Sequence, residues 1–324
     1  MIHPDALLFK LIALIDKLPQ PKTSPRRGRP VVYPETLFLK ALVIMTLRHL
    51  YQVGAFLAVL DQPDMASVKA VLLDEQGRFP CRRTWERRLA NLPESLPARI
   101  GLIGRMLVEM IKPWANSGRA VALDSTILHA SGGVWHKKHR DAGLVPHSRI
   151  DTEAAWTQSG WHGWVYGWKL HLAVTVASVW IPVAARLRPA NEADNVVAED
   201  LIPELPFEVR YVLGDKHYNA PNVTAACRLR NLFAVTTKRG AYPHTDDGVE
   251  VRRIFHKLRS VANENFNEQF KAIFNGHDRV PTKGLVATQR YALGAVLVYQ
   301  LVLWHRYEQG LPLRQGLKAY IKAA

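Results

Sequence analysis

The sequence predicts an α/β protein: a mixed sheet flanked by helices, preceded by an all-helical region. Three observations carry that prediction. Up to Pro113 apolar residues repeat at helical spacing, as in Leu7, Leu8, Leu11, Leu14, Ile15 and Leu18. Beyond it, short apolar runs bounded by turn residues alternate with helical stretches. Two of those runs, Ala120–Leu123 and Val209–Leu213, end on Asp124 and, after Gly214, on Asp215.

Taken in order, residues 2–18 fit one amphipathic helix, ended by Pro19, Pro21 and Pro25. Residues 24–30, SPRRGRP, form a basic extended piece. It is either a solvated linker or an arm whose Arg26, Arg27 and Arg29 lie on phosphates or in a minor groove. A long helix is expected from Pro34 to Val59 and a second over Met65–Asp74. Thr84 is placed to cap a third, with Trp85 and Leu89 inward and Arg87 and Arg88 on its surface, just after Arg82 and Arg83. Short helices with an Arg-rich last one suit a helix-turn-helix DNA reader, and equally a charged face on a bundle.

From Ala120 the texture changes. Residues 131–162 read as a long polar loop carrying the basic run His136, Lys137, Lys138, His139 and Arg140. His136 and His139 have metal-ligand spacing without further Cys or His nearby, so a DNA-facing loop is the better reading. Tyr166–Ala177 alternates as a strand, and Ile181–Leu187 is its hairpin mate. Helices follow near Val196–Leu201, from Pro221, near Leu258–Phe274 and near Ala292–His305, with a strand at Phe233–Thr237. The expected organisation is a helical DNA-binding region over 1–115, an α/β domain over 116–310 and a basic tail over 311–324.

The 324 residues carry a formal net charge of +15 and a pI near 9.9. Such a surplus favours a polyanionic partner, nucleic acid first. Residues 1–120 hold 18 Lys and Arg against 10 Asp and Glu, so the excess is spread over both parts of the chain. Cys81 and Cys227 stand far apart without a CxxC partner, which suits a reducing, cytoplasmic setting and argues against a disulfide framework or a Cys-rich zinc site. The apolar runs are poor membrane spans: 37–60 is broken by Lys40, Arg48 and His49, and 291–304 is short.

The order of elements from 120 onward is that of an RNase H-like fold, whose first and fourth strands are neighbours. Two aspartates at the ends of adjacent strands suit a pair of hard cations for phosphodiester chemistry. A third carboxylate is then needed from a later helix. Residues 259–271, RSVANENFNEQFK, offer Glu264, with Glu268 one turn on as its rival. The plain alternative is a solvated face opposite the Ala262, Phe266 and Phe270 stripe.

Glu264 followed by six residues and Lys271 resembles the end of the Tyr-Arg-Glu-Lys signature of bacterial insertion-sequence DDE transposases. The segments ALDST, SGWHGWVYGWKLHLAV and GDKHYN fall in that family's order. The likeness covers about residues 24–305. It implies that Asp124, Asp215 and Glu264 bind two Mg²⁺ or Mn²⁺ ions and that Lys271 meets a phosphate near the scissile bond. It also implies double-stranded transposon-end and target DNA as partners, a homodimer in the DNA complex, and nucleoid association. Lys257 and Ser260 occupy the signature's Tyr and Arg positions, with Arg259 one residue out of register. A structure-specific RNase H-like nuclease and an inactive DNA-binding repressor are the alternatives. Trp156, Trp161, Trp164 and Trp168 are candidates for stacking on a flipped base or for packing, Lys169 for pointing into the site, and Tyr218 and Asn219 for setting the turn after Asp215.

Overall fold

A computed structural model describes residues 6–19, 32–115, 118–160, 163–176, 179–236, 246–274 and 278–322. The basic arm with Arg26, Arg27 and Arg29 lies outside them, as does Trp161. Helices α1 (Ala6–Asp16), α2 (Glu35–Leu47), α3 (Val53–Leu60), α4 (Ala66–Ala70) and α5 (Arg82–Ala115) come first. Strand β1 (Ala120–His129), the short helix α6 (Lys137–Asp141), and strands β2 (Ala155–Ser159), β3 (Gly163–Thr175) and β4 (Pro182–Pro189) follow. Then come α7 (Asp194–Leu201), β5 (Tyr211–Gly214), α8 (Pro221–Leu229), β6 (Phe233–Thr236), α9 (Asp246–Phe274), α10 (Leu285–Glu308) and α11 (Leu317–Lys322).

The six strands make one mixed sheet. Along its main path the order is β2-β3-β1-β5-β6, with β4 pairing β3. β1 pairs β3 antiparallel from Val121 with Thr175 to His129 with Gly167, and pairs β5 in parallel over Ala120–Ala122. The expected adjacency of the first strand and the one carrying the second aspartate is therefore present, in a strand arrangement consistent with an RNase H-like sheet.

The helical part packs onto this sheet. α5 buries Trp85, Leu89, Leu92, Leu96, Ile100, Ile103 and Leu107. Trp85 meets Phe38 and Phe56 edge-on, which locks its start to α2 and α3. Further along, α5 passes so close to β4 that a Cβ on Gly104 would sit 2.8 Å from Val183 Cα. Buried Gln300 on α10 donates to Ile100 O at 2.8 Å and Pro182 O at 2.7 Å, so one side chain joins α10, α5 and β4. Among the described residues α10 alone is long and apolar enough to cross a membrane. It is longer than the 291–304 run suggests, and Ala292–Arg306 is buried inside the protein.

Several expectations need correcting. The helix foreseen over Pro34–Val59 is two helices, because His49 adopts a left-handed φ of 52° and Leu50 N closes on Met45 O at 2.7 Å. Thr84 does not cap; the helix starts at Arg82 and Thr84 lies in its first turn. That helix is 34 residues long and runs through Pro93 and Pro97. Each proline removes an N–H, and the buried stripe on both sides holds the helix through the gaps. The 131–162 stretch is not only loop: it contains α6 and β2. Its Asp151 and Glu153 accept from Gly284 N (2.9 Å) and Leu285 N (3.0 Å), placing two carboxylates on the start of α10. α9 begins at Asp246, twelve residues before the expected Leu258.

Candidate active site

β1 does not stop at Asp124, as the sequence pattern suggested. It continues beside β3 to His129, while β5 leaves it after Ala122 pairs with Leu213. Carrying that parallel register two residues on sets Asp124 beside Asp215. Both aspartates thus stand where two parallel strands part, the position at which open α/β sheets place their chemistry. Gly214 is required just before Asp215, since a Cβ there would lie 2.6 Å from Tyr218 Cβ. Asp215 also caps the turn that follows it. Its Oδ1 accepts from His217 N at 2.8 Å, ahead of a short 3-10 turn over Lys216–Tyr218.

Burial pushes the Asp124 carboxyl up to about 7; the negative charges of Asp215 and Asp194 act the same way, and Arg259 opposes them. The α9 face that meets Asp124 is a ladder at four-residue spacing. Asn263 Nδ2 donates to Leu123 O (3.4 Å) and Asn267 Nδ2 to Asp124 Oδ2 (3.1 Å). Lys271 lies close enough to feel Asp124 and Glu268, and burial lowers its pKa against their pull. Arg259, out of register with the signature, nonetheless directs its charge at Asp124. Glu264 lies beside this ladder, exposed, accepting the Ser260 hydroxyl at 2.5 Å; Glu268 is exposed as well. Asp124 and Asp215 are brought together, and Glu264 is left on the solvent side of the helix. Among the described residues no three His, Cys, Asp or Glu side chains are gathered closely enough to hold one ion.

The surroundings of the aspartate pair fit a hard cation. A buried carboxyl held near neutrality gives up its proton readily to a dication. Among the described residues the Tyr218 hydroxyl and Asn263 Oδ1, buried nearby, have no hydrogen-bond partners, and every one of these atoms is oxygen. Such a set suits Mg²⁺ or Mn²⁺.

Sequence reasoning missed Asn263, Asn267 and the cluster around Asp194. The two asparagines were findable, since at 100° per residue 263 and 267 fall between the apolar and acidic stripes of α9. Asp194 stands two residues before the expected Val196–Leu201 helix, where any capping residue would fit. It opens α7, accepts from Ser125 Oγ at 2.8 Å and pairs with Lys169 Nζ at 3.2 Å. Lys169 is therefore turned into this cluster. Burial pushes the neighbouring His171 imidazole down to about 4, although Asp194 pulls it the other way.

The basic candidates divide. Arg82, Arg83 and Arg87 are exposed on the first turns of α5, with Arg82 paired to Glu86 at 2.8 Å. Arg88 is turned inward, its guanidinium 4.8 Å from the Phe38 ring centre and donating to Tyr33 O at 3.4 Å. Lys137 and Lys138 are exposed on α6. The His136 ring lies against Trp156 and His139, each 6.4 Å away between ring centres. Trp168 is core, Trp156 donates to Trp135 O at 2.8 Å, and Trp164 is 68% exposed at the β2–β3 hairpin.

The profile of the family described as "Transposase DDE domain" matches residues 115–301, the span holding β1, β5 and α9. No curated protein matches the chain. Among solved structures it is similar to the piggyBac transposase synaptic complex with hairpin DNA, determined by cryo-EM. The identity is 10% over 99% of this chain and 79% of that one, with a TM-score of 0.41. The family match covers more than half of the sequence: this chain belongs to the DDE transposase domain family.

Proposed function

We propose that this protein is the transposase of an insertion sequence, which binds terminal inverted repeats, cuts the strands at the element's ends and joins the freed 3′-OH to target DNA. The observation that carries the reading is the pairing of Asp124 and Asp215 at the parting of β1 and β5, within the span of the family match. Asp124, Asp215 and Glu264 would hold Mg²⁺ or Mn²⁺, two ions per site. Bound there, such ions activate the attacking oxygen and stabilise the leaving one.

The protein's own groups set up that chemistry. Asn267 donates to one oxygen of Asp124, and the Ser125 backbone amide also bonds this carboxylate. The turn amide of His217 holds one oxygen of Asp215. Lys271 and Arg259 bring positive charge to the rim, where a scissile phosphate needs it. The exposed Arg82, Arg83, Arg87, Lys137 and Lys138, with the arm at Arg26, Arg27 and Arg29, would track the DNA backbone. Two copies acting as a homodimer would hold two ends.

The arginines give a separable prediction. Arg87→Ala is expected to weaken end-DNA binding and lower the salt slope of log K by about one, with the thermal midpoint unchanged. Arg88→Ala is expected to cost about 1 kcal/mol of stability, because it removes an inward packing and cation–π contact. Salt-dependent binding and thermal unfolding of both variants check this.

The reading is tested with a supercoiled target plasmid, labelled end duplexes and Mg²⁺. Joined product is expected. Cutting without joining would instead identify a nuclease, and binding without turnover a repressor.

A further inference from the structure

Beneath the aspartate pair lies a second polar cluster, on the other face of the sheet. Ser125, next to Asp124 on β1, donates its hydroxyl to Asp194 Oδ1 at 2.8 Å. Across the β1–β3 register Ser125 faces His171, and Ile127 faces Lys169. Lys169 Nζ reaches the same Asp194 oxygen at 3.2 Å and also donates to Glu192 O at 3.3 Å. His171 Nδ1 lies 3.5 Å from that oxygen; the ring is fully buried, and among the described residues neither nitrogen has a hydrogen-bond partner. The third approach comes from the Asp215 segment. Tyr218 is 2% exposed, its hydroxyl has no hydrogen-bond partner among the described residues, and it lies within electrostatic reach of Asp194, Asp124 and Asp215 together. One carboxylate on α7 is thus bound to β1 and β3 and neighbours the turn that carries Asp215.

A carboxylate and an ammonium only 12–15% exposed are poorly screened, so their charges act on neighbours a few ångströms away. The pair is balanced as it stands. Remove the carboxylate, and an uncompensated Lys169 cation remains under a site that must attract a dication. Remove the cation, and the site gains a negative charge.

We propose that Asp194 is a positioning residue for the Asp124–Asp215 pair, whose charge, balanced by Lys169, sets how tightly that pair holds a divalent cation. This rests on the proposed metal-dependent reading of the site. The test is Mn²⁺ binding to the full-length protein, followed by electron paramagnetic resonance of free Mn²⁺ at pH 8, with thermal unfolding of each variant alongside. Asp194→Asn is expected to weaken Mn²⁺ binding about fivefold or more, and Lys169→Gln to tighten it. The double variant is expected to return to within about twofold of wild type, a coupling that a double-mutant cycle isolates. A structural role alone would move both single variants in the same direction. Equal affinity in Asp194→Asn and wild type, loosening by Lys169→Gln, or no recovery in the double variant overturns the proposal. Should Asp194→Asn not fold, the sign of the Lys169→Gln effect decides alone. Wild-type Mn²⁺ binding that survives Asp124→Asn overturns the underlying metal-site reading instead, and the two failures are thereby distinguishable.

Discussion

Asp124→Asn is expected to abolish strand cleavage, by about 10³-fold or more, while making the metal-free protein more stable at alkaline pH. The first effect follows from losing a charged ligand. The second follows from burial, which raises the Asp124 carboxyl from 3.8 to about 7. Between those values the folded protein keeps the proton and the unfolded chain releases it. Stability from this group is therefore present at low pH and is lost as pH rises from about 4 through 7. Asparagine is neutral throughout and can still accept from Asn267. Above pH 7 the metal-free variant is expected to exceed wild type by roughly 1–3 kcal/mol, with the gap closing near pH 4. Mg²⁺ should raise the thermal midpoint of wild type and leave the variant unmoved. Cleavage of a labelled end duplex checks the first effect, and melting curves at pH 5 and 8, with and without Mg²⁺, check the others; a variant less stable than wild type at pH 8 would refute this reading of Asp124.

The second large effect separates the two glutamates of α9. Glu264→Gln is expected to lower cleavage by about 10²-fold or more, and Glu268→Gln by less than about threefold. Glu264 is one step around the helix from the Asn263–Asn267–Lys271 ladder, and in the free protein Ser260 holds its carboxylate. On the proposed reading, a change of side-chain rotamer would carry it toward the aspartates when cations attract it. Glu268 instead supports the charge of Lys271. Single-turnover cleavage of a labelled end duplex measures both. The reverse ranking would make Glu268 the third carboxylate; two inert substitutions would leave the site with its aspartates alone.

Much of the α/β part was legible because its signals are local. The β-branched runs, Gly214 and the Asp215 turn gave the sheet and the second aspartate, and register then followed from pairing. Three features were not legible, each for a tertiary reason. Asp124 looked like a strand end, whereas its antiparallel neighbour β3 carries β1 on to His129. Pro93 and Pro97 argue against a helix locally, and burial against the sheet and α10 overrides them. Asp194 resembled any helix-start residue; its role emerges only when Ser125, Lys169 and Tyr218 arrive from three separate segments.

The α9 stripe shows the limit of periodicity in another way. The wheel correctly buried Ala262, Phe266 and Phe270. It could not say which flank of that stripe faces β1, and the contacting residues proved to be Asn263 and Asn267. Likewise Arg87 and Arg88 are equivalent by composition, yet Phe38 draws only Arg88 inward.

Asp215 and Asp124 are proposed to form one metal-dependent centre for DNA cutting and joining. The most direct measurement is end joining by Asp215→Ala, with Mg²⁺, labelled end duplex and supercoiled target, and with end-DNA binding measured on the same preparation. Binding close to wild type and no joined product are expected. Wild-type joining by Asp215→Ala would contradict the proposal.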